Sequence, residues 1–174
     1  MQKFVKEYVP YIVIIILVLV IKRYVVTPIR VNGPSMLPTL EDKDIMILNE
    51  VSYRTQGLKR FDIVVLDYKG EKLIKRVIGL PGEKIEYKDN KLYVNGKVVK
   101  EDFSHADTED FDEIKVEKDR YFVLGDNRVN STDSRIIGTV SIKDIRGTTK
   151  LTIFPFGRFG NKNWVTIKSY FFLL

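Results

Sequence analysis

From Tyr8 to Ile21 the chain reads YVPYIVIIILVLVI, an apolar run with Lys3 and Lys6 before it and Lys22 and Arg23 after it. A run of roughly 14 apolar residues is short for a membrane span and fits the hydrophobic part of a cleavable leader equally well. The next five residues decide between the two. A leader needs small residues in an A-x-A-like pattern, whereas Lys22-Arg23-Tyr24-Val25-Val26 is bulky and charged. Lys22 and Arg23 can snorkel while Tyr24, Val25 and Val26 continue the apolar face, which lengthens the effective span. Pro10 lies near the start, where a missing amide donor costs little. The expected layout is a short tail (1–7), an uncleaved transmembrane anchor (8–26) and one further domain (27–174). Positive residues flank both ends of the anchor and, if anything, favour a C-terminal domain inside; the rule is weak when a long domain comes after the span.

With the anchor set aside, about 150 residues remain, the size of a single domain. Hydrophobic residues make up 44% and charged residues 30% of the chain, enough for a packed core. The absence of cysteine excludes a thiol nucleophile, a disulfide framework and a thiolate zinc site. The one histidine, His105, lies in an acidic stretch, Glu101 to Asp119, that reads as a solvated loop, so no Ser-His-Asp triad is expected. A net charge of +6 suits an anionic partner such as a membrane surface. There is no basic helix, zinc-finger spacing or aromatic RNA-binding signature, so nucleic acid is not an expected partner.

Beyond Pro28 short runs rich in β-branched and aromatic residues alternate with turn residues. Strands are expected at Asp44 to Leu48, Phe61 to Tyr68, Lys72 to Ile78, Lys84 to Tyr87, Lys91 to Val94, Lys97 to Val99, Tyr121 to Leu124 and Ile145 to Phe154. Asp89-Asn90 and Asn95-Gly96 fall between such runs, and the second pair is a strong hairpin signal. This pattern predicts a mainly β, antiparallel domain with no helix beyond the anchor. The apolar end Tyr170-Phe171-Phe172-Leu173-Leu174 is expected to pack on the sheet rather than on a membrane.

Three segments carry chemistry-bearing residues. Ser35 sits in Val31-Asn32-Gly33-Pro34-Ser35-Met36-Leu37-Pro38-Thr39-Leu40, too rich in glycine and proline for a helix, so its backbone is constrained. Lys75 sits in a strand that places it with Leu73 and Val77 on one face and Arg76 with Ile74 and Ile78 on the other. Burial of the first face would disfavour the ammonium and make Lys75 a usable general base. The block Gly125 to Arg135 (GDNRVNSTDSR) concentrates hydroxyl, amide, carboxylate and guanidinium groups behind a strand. Ser131 could hold a catalytic lysine there, while Asp133 and Arg135 pair to stiffen the loop. Taken singly, each of these is more often ordinary: a turn serine, a solvated edge-strand lysine, a polar loop. Together they form a serine–lysine alternative to the histidine triad.

In order along the chain, Ser35 to Leu40 (SMLPTL), Lys75 to Gly82 (KRVIGLPG) and Gly125 to Arg135 resemble the motifs of the bacterial type I signal peptidase family, in its Gram-positive branch. The resemblance implies a membrane-bound serine endopeptidase with a β domain of the signal-peptidase/LexA-like kind, extracytoplasmic on a single-pass anchor whose N-terminus is cytoplasmic. It implies that Ser35 attacks the peptide carbonyl, Lys75 takes its proton and returns it to the leaving amine, and Ser131 orients Lys75. Secretory precursors would be cut after small-residue motifs, beside the lipid bilayer, by a monomer that needs no cofactor or metal. Some members carry a serine two residues before the nucleophile as an oxyanion donor; here that residue is Gly33, and Pro34 has no amide proton. The Ser35 backbone N–H is therefore the expected oxyanion donor, without an identified second one. Two rivals remain open on the sequence: a LexA-type self-cleaving protein, which would need a DNA-binding domain in place of the anchor, and a membrane-tethered β domain without activity.

Overall fold

A computed structural model describes residues 2–24, 27–50 and 57–161; within the first stretch, side chains are described for residues 6–18. The segment 170–174, expected to pack on the sheet, lies outside the described residues. The first element is a helix, α1 (Gln2–Tyr24), with Pro10 inside it. Its apolar side chains from Tyr11 to Val18 are all more than half exposed. Among the described residues no helix is long and apolar enough to cross a membrane. Much of the expected anchor, residues 19–26, falls where side chains are not described.

Strands come next: β1 (Thr27–Arg30), β2 (Ile45–Asn49), β3 (Ile63–Tyr68), β4 (Glu71–Gly79), β5 (Lys84–Lys88), β6 (Lys91–Val94), β7 (Lys97–Val99), β8 (Phe111–Lys115), β9 (Arg120–Leu124), β10 (Val140–Ser141), β11 (Ile145–Phe154) and β12 (Gly160–Asn161). These are the eight expected and four more, β1, β8, β10 and β12. One sheet has the order β1-β2-β11-β3-β4-β9-β10, with β12 beside β11, and a second has the order β7-β6-β5-β8. Among the described residues every pairing is antiparallel.

Two-residue turns set the register of three hairpins. Asn95-Gly96 and Asp89-Asn90 have positive φ at both positions, the type I′ geometry whose twist matches the flanking strands. Lys69-Gly70, between β3 and β4, does the same. That turn pairs Tyr68 with Glu71 and carries the ladder up to Lys75 opposite Val64 and Arg76 opposite Ile63.

β4 is the strand on which the core regions meet, and it is buried on both faces from Lys75 to Gly79. Val77 joins Val64, Leu66, Val123 and Ile145. Ile78 joins Ile85, Leu92, Phe122 and Leu124 on the second sheet's side. Ile74 packs against Met36, Leu40, Met46 and Ile63. Gly79 sits where this strand passes closest to its neighbours: a Cβ there would lie 2.6 Å from Ile85 Cγ1 and 3.0 Å from Phe122 Cβ, both on fully buried residues. Gly79→Ala is expected to cost about 1–3 kcal/mol by overpacking, measurable as a lower denaturation midpoint with an unchanged slope.

Two sequence expectations need correction. The stretch Glu101 to Asp119 is not a solvated loop: Phe103, Thr108 and Val116 are buried, and Phe111–Lys115 forms β8, paired with β5. The acidic side chains of β8 face outward while its apolar residues cover the second core, so the charge of the stretch hid its buried side. A second helix also exists, the single turn α2 (Ser134–Ile137), capped by the Asp133 side chain, which accepts from the Arg135 N–H.

Candidate active site

Ser35 lies on a turn-rich connection from β1 to β2. Val31 N–H donates to Asp44 O and Lys43 N–H to Val31 O, so the two ends of this excursion are tied together. Leu37 N–H donates to Pro34 O and Leu40 N–H to Met36 O, and the side chains of Met36 and Leu40 are buried in the core. The connection is thus pinned from below, with Ser35 half-buried at its top. A second loop holds it from the side. Asn127 N–H donates to Ser35 O at 3.1 Å, and Asn127 Nδ2 donates to Pro34 O at 3.2 Å.

Lys75 comes from the middle of β4, and its Nζ donates to Ser35 Oγ at 2.7 Å. Only 2% of the lysine is exposed. Burial pulls its pKa from 10.5 down to about 8, against the opposing pull of the Asp133 and Asp126 carboxylates. The lysine therefore gives up its proton near pH 8 rather than above pH 10, while touching the serine hydroxyl.

On the opposite face, Arg76 is fully buried. Its Nε donates to Asp126 Oδ1 at 2.8 Å and its Nη2 to Asp126 Oδ2 at 2.5 Å, a two-pronged pair. Thr39 Oγ1 adds a hydrogen bond to Asp126 Oδ2 at 2.5 Å, and Arg76 Nη1 donates to Phe61 O. This pair ties β4 to the SMLPTL and GDNR segments at once. Arg76, Asp126, Thr39 and Asn127 carry no role that the sequence alone assigns. The available signal was Arg76 itself, a charge flanked by Ile74 and Ile78, which must find a partner wherever that apolar face is buried.

Asp133 and Arg135 pair as expected, with Nε at 2.9 Å and Nη2 at 2.8 Å from the carboxylate. Asp133 is fully buried and also accepts from Gly125 N–H. Ser131 departs from expectation: its Oγ is buried and has no hydrogen-bond partner among the described residues, so it does not bond to Lys75. It packs against Gly125 instead, where a Cβ would lie 2.2 Å from Ser131 Oγ and 2.4 Å from Ser35 O. The lysine ammonium is directed at Ser35. His105 is directed elsewhere, with Nδ1 at Ala106 O and Nε2 3.4 Å from Glu101.

Comparison with known proteins matches the family described as signal peptidase, peptidase S26, over residues 3–154. The chain belongs to this family. Signal peptidase I of Bacillus amyloliquefaciens is 40% identical to this peptidase over 83% of the chain and 85% of the relative. Signal peptidase I S of Bacillus subtilis is 38% identical over 93% and 96%, and signal peptidase I V of the same organism 43% over 78% and 90%. A solved signal peptidase I from Enterococcus faecalis, 37% identical, aligns over 52% of this chain and 95% of its own with a TM-score of 0.48.

The peptidase carries a cleft of about 650 Å³ whose lining includes Ser35 and Lys75. Residues of β1 and its continuation (Thr27 to Asn32) and of the first half of β4 (Glu71 to Ile74) line it. β1 is the edge of its sheet, and β9 pairs with β4 only from Arg76 onward. Among the described residues, no group of histidine, cysteine and carboxylate side chains is placed to hold a metal ion.

Proposed function

We propose that this signal peptidase removes the signal peptides of secreted precursors through a Ser35/Lys75 dyad. The observation that carries the reading is the 2.7 Å contact between a buried lysine nitrogen and a serine hydroxyl in the lining of a cleft. An extended precursor segment lies in the cleft as an added strand between the edges of β1 and β4, a mode in which main-chain hydrogen bonds bind and side-chain pockets select. Ser35 Oγ attacks the carbonyl after the small-residue motif while neutral Lys75 accepts its proton. The tetrahedral oxyanion is met by the Ser35 backbone N–H, a donor of a kind worth about 3 kcal/mol. Lys75 then protonates the departing amine, and a water deprotonated by Lys75 releases the acyl group. Asp133, braced by Arg135, contributes charge at Lys75, and Ser131 supports the loop beside it. Serine and lysine come from one chain, so a monomer suffices.

The pH dependence tests the base. Lys75 works as a base only when neutral, so kcat/KM should rise about tenfold per pH unit below its pKa and level off above about 8. A profile flat from pH 6 to pH 10, measured on a precursor peptide in detergent, would remove Lys75 from that role.

We also infer that α1 anchors the enzyme with its β domain outside the cytoplasm. The helix exposes apolar side chains around its whole described circumference, a surface that lipid would cover. Protease added to intact cells freed of their wall should digest the β domain; full protection would place it inside.

A further inference from the structure

The acidic stretch supplies a buried carboxylate, Glu101, whose partners lead to the back of the active site. Its side chain is 6% exposed, and it faces Arg128, whose side chain is 0% exposed. Arg128 Nη2 donates to Glu101 Oε1 at 2.8 Å, while Nη1 donates to Tyr87 OH and to Thr108 Oγ1, each at 2.6 Å. The Tyr87 hydroxyl donates to the other oxygen of Glu101. Burial, opposed by Arg128 and aided by Glu101, pushes the Tyr87 pKa up and keeps this donor protonated. The remaining side of the guanidinium points at the active-site loop: Nε donates to Gly125 O at 3.0 Å.

Gly125 is the residue against which Ser131 and the Ser35 carbonyl pack. Two residues on, Asn127 N–H holds Ser35 O. Ala106 N–H donates to Asp126 O, a second tie from the acidic stretch to the same loop. The second sheet and the acidic stretch therefore hold the loop behind Ser35 at two points, the Arg128 guanidinium, aimed by Glu101, Tyr87 and Thr108, and the Ala106 N–H.

We propose that Glu101, acting through Arg128, is a positioning residue for the Ser35 site. The proposal rests on the reading of Ser35 as nucleophile. Glu101 is absent from the cleft lining and touches no group of the dyad. Its carboxylate supplies the charge that lets a guanidinium stay buried and correctly turned. Without it Arg128 draws in water or swings, Gly125 loses its hold, and the Ser35 carbonyl shifts with the loop. Misplacement of a reacting group by a fraction of an ångström lowers the rate of the chemical step, whereas binding draws mainly on cleft residues of β1 and β4 that lie outside this loop.

The test uses full-length enzyme in detergent with Glu101→Gln, Arg128→Lys and the double variant, assayed on a precursor peptide. Glu101→Gln is expected to lower kcat about tenfold with KM within about twofold of wild type. The double variant should be no slower than the slower single variant, because both act through one contact. Amide hydrogen exchange at Asn127 should accelerate at least about tenfold while β3 keeps its protection. An unchanged kcat per folded molecule, additive losses, or equal loosening of β3 and Asn127 would each overturn the proposal. If Glu101→Gln fails to fold, Tyr87→Phe removes one of the same bonds and should shift kcat and Asn127 exchange in the same direction by less. The exchange readout does not depend on the dyad. Should Ser35→Ala still cleave while Asn127 loosens in Glu101→Gln, the nucleophile assignment falls and the grip of Glu101 on the loop stands.

Discussion

Ser35→Ala and Lys75→Met are each expected to lower kcat/KM at least about 10⁴-fold, and the double variant to be no worse than either, since nucleophile and base act as a unit. Stability should separate the two variants that activity cannot. In the fold the Lys75 pKa lies near 8, below its ordinary 10.5, so the folded state resists the charged form. At about 1.4 kcal/mol per pH unit, the penalty is about 3 kcal/mol. It is fully present below pH 8, declines as pH rises from about 8 towards 10.5, and is absent above that. Methionine carries no charge and fills a similar volume. After allowance of about 1 kcal/mol for the lost hydrogen bond to Ser35, Lys75→Met should be about 2 kcal/mol more stable than wild type at pH 6–7. The advantage should vanish near pH 10. Ser35→Ala should show no such crossover in denaturant titrations at the two pH values. A Lys75→Met protein less stable than wild type at pH 6 would mean that the ammonium is better solvated than its burial indicates.

Asp126→Ala should be among the most destabilising single changes in the domain, by about 3–5 kcal/mol, because it leaves the Arg76 guanidinium buried without its counter-charge. Thr39 loses its acceptor in the same step. Replacing both partners with apolar residues, as in Arg76→Met with Asp126→Leu, should recover much of the loss, since breaking a buried pair costs more than removing it. Activity should not recover with stability. Asp126 also lies among the charges felt by Lys75, and its backbone belongs to the loop that holds Ser35. Comparing melting temperatures with kcat for the single and double variants separates the two contributions.

How much of this could be read from the chain differs residue by residue, and the reasons are physical. Strand positions from Ile63 to Val99 came from alternation and from turn pairs such as Asn95-Gly96, because both are local properties of a few consecutive residues. Lys75 could be singled out because Leu73 and Val77 flank it in the period-two pattern, and it is buried as that pattern implies. The contact to Ser35 spans 40 positions and could be reached only through the motif resemblance. The Arg76 pair spans 50 positions and went unassigned, although a charge on a buried strand face demands a partner somewhere. β8 was missed because three of its five residues are charged and its exposure pattern does not alternate. The Ser131 hydroxyl could not be aimed from sequence at all: its direction depends on the space Gly125 leaves beside it.

Lys75 and Arg76 are neighbours on a strand whose two faces do unlike work. A slip of β4 by a single position would turn Lys75 to the other face and put in its place either Arg76, whose guanidinium does not release its proton at any pH a protein survives, or Ile74, which has no proton acceptor at all. The resulting protein would keep its charge and its sheet and still be inert. Lys69-Gly70, a two-residue turn with no slack for an insertion, therefore guards the chemistry from the far end of the hairpin. Lengthening a surface loop is usually harmless, but here one added residue at an exposed tip would carry its error along the ladder to the contact with Ser35.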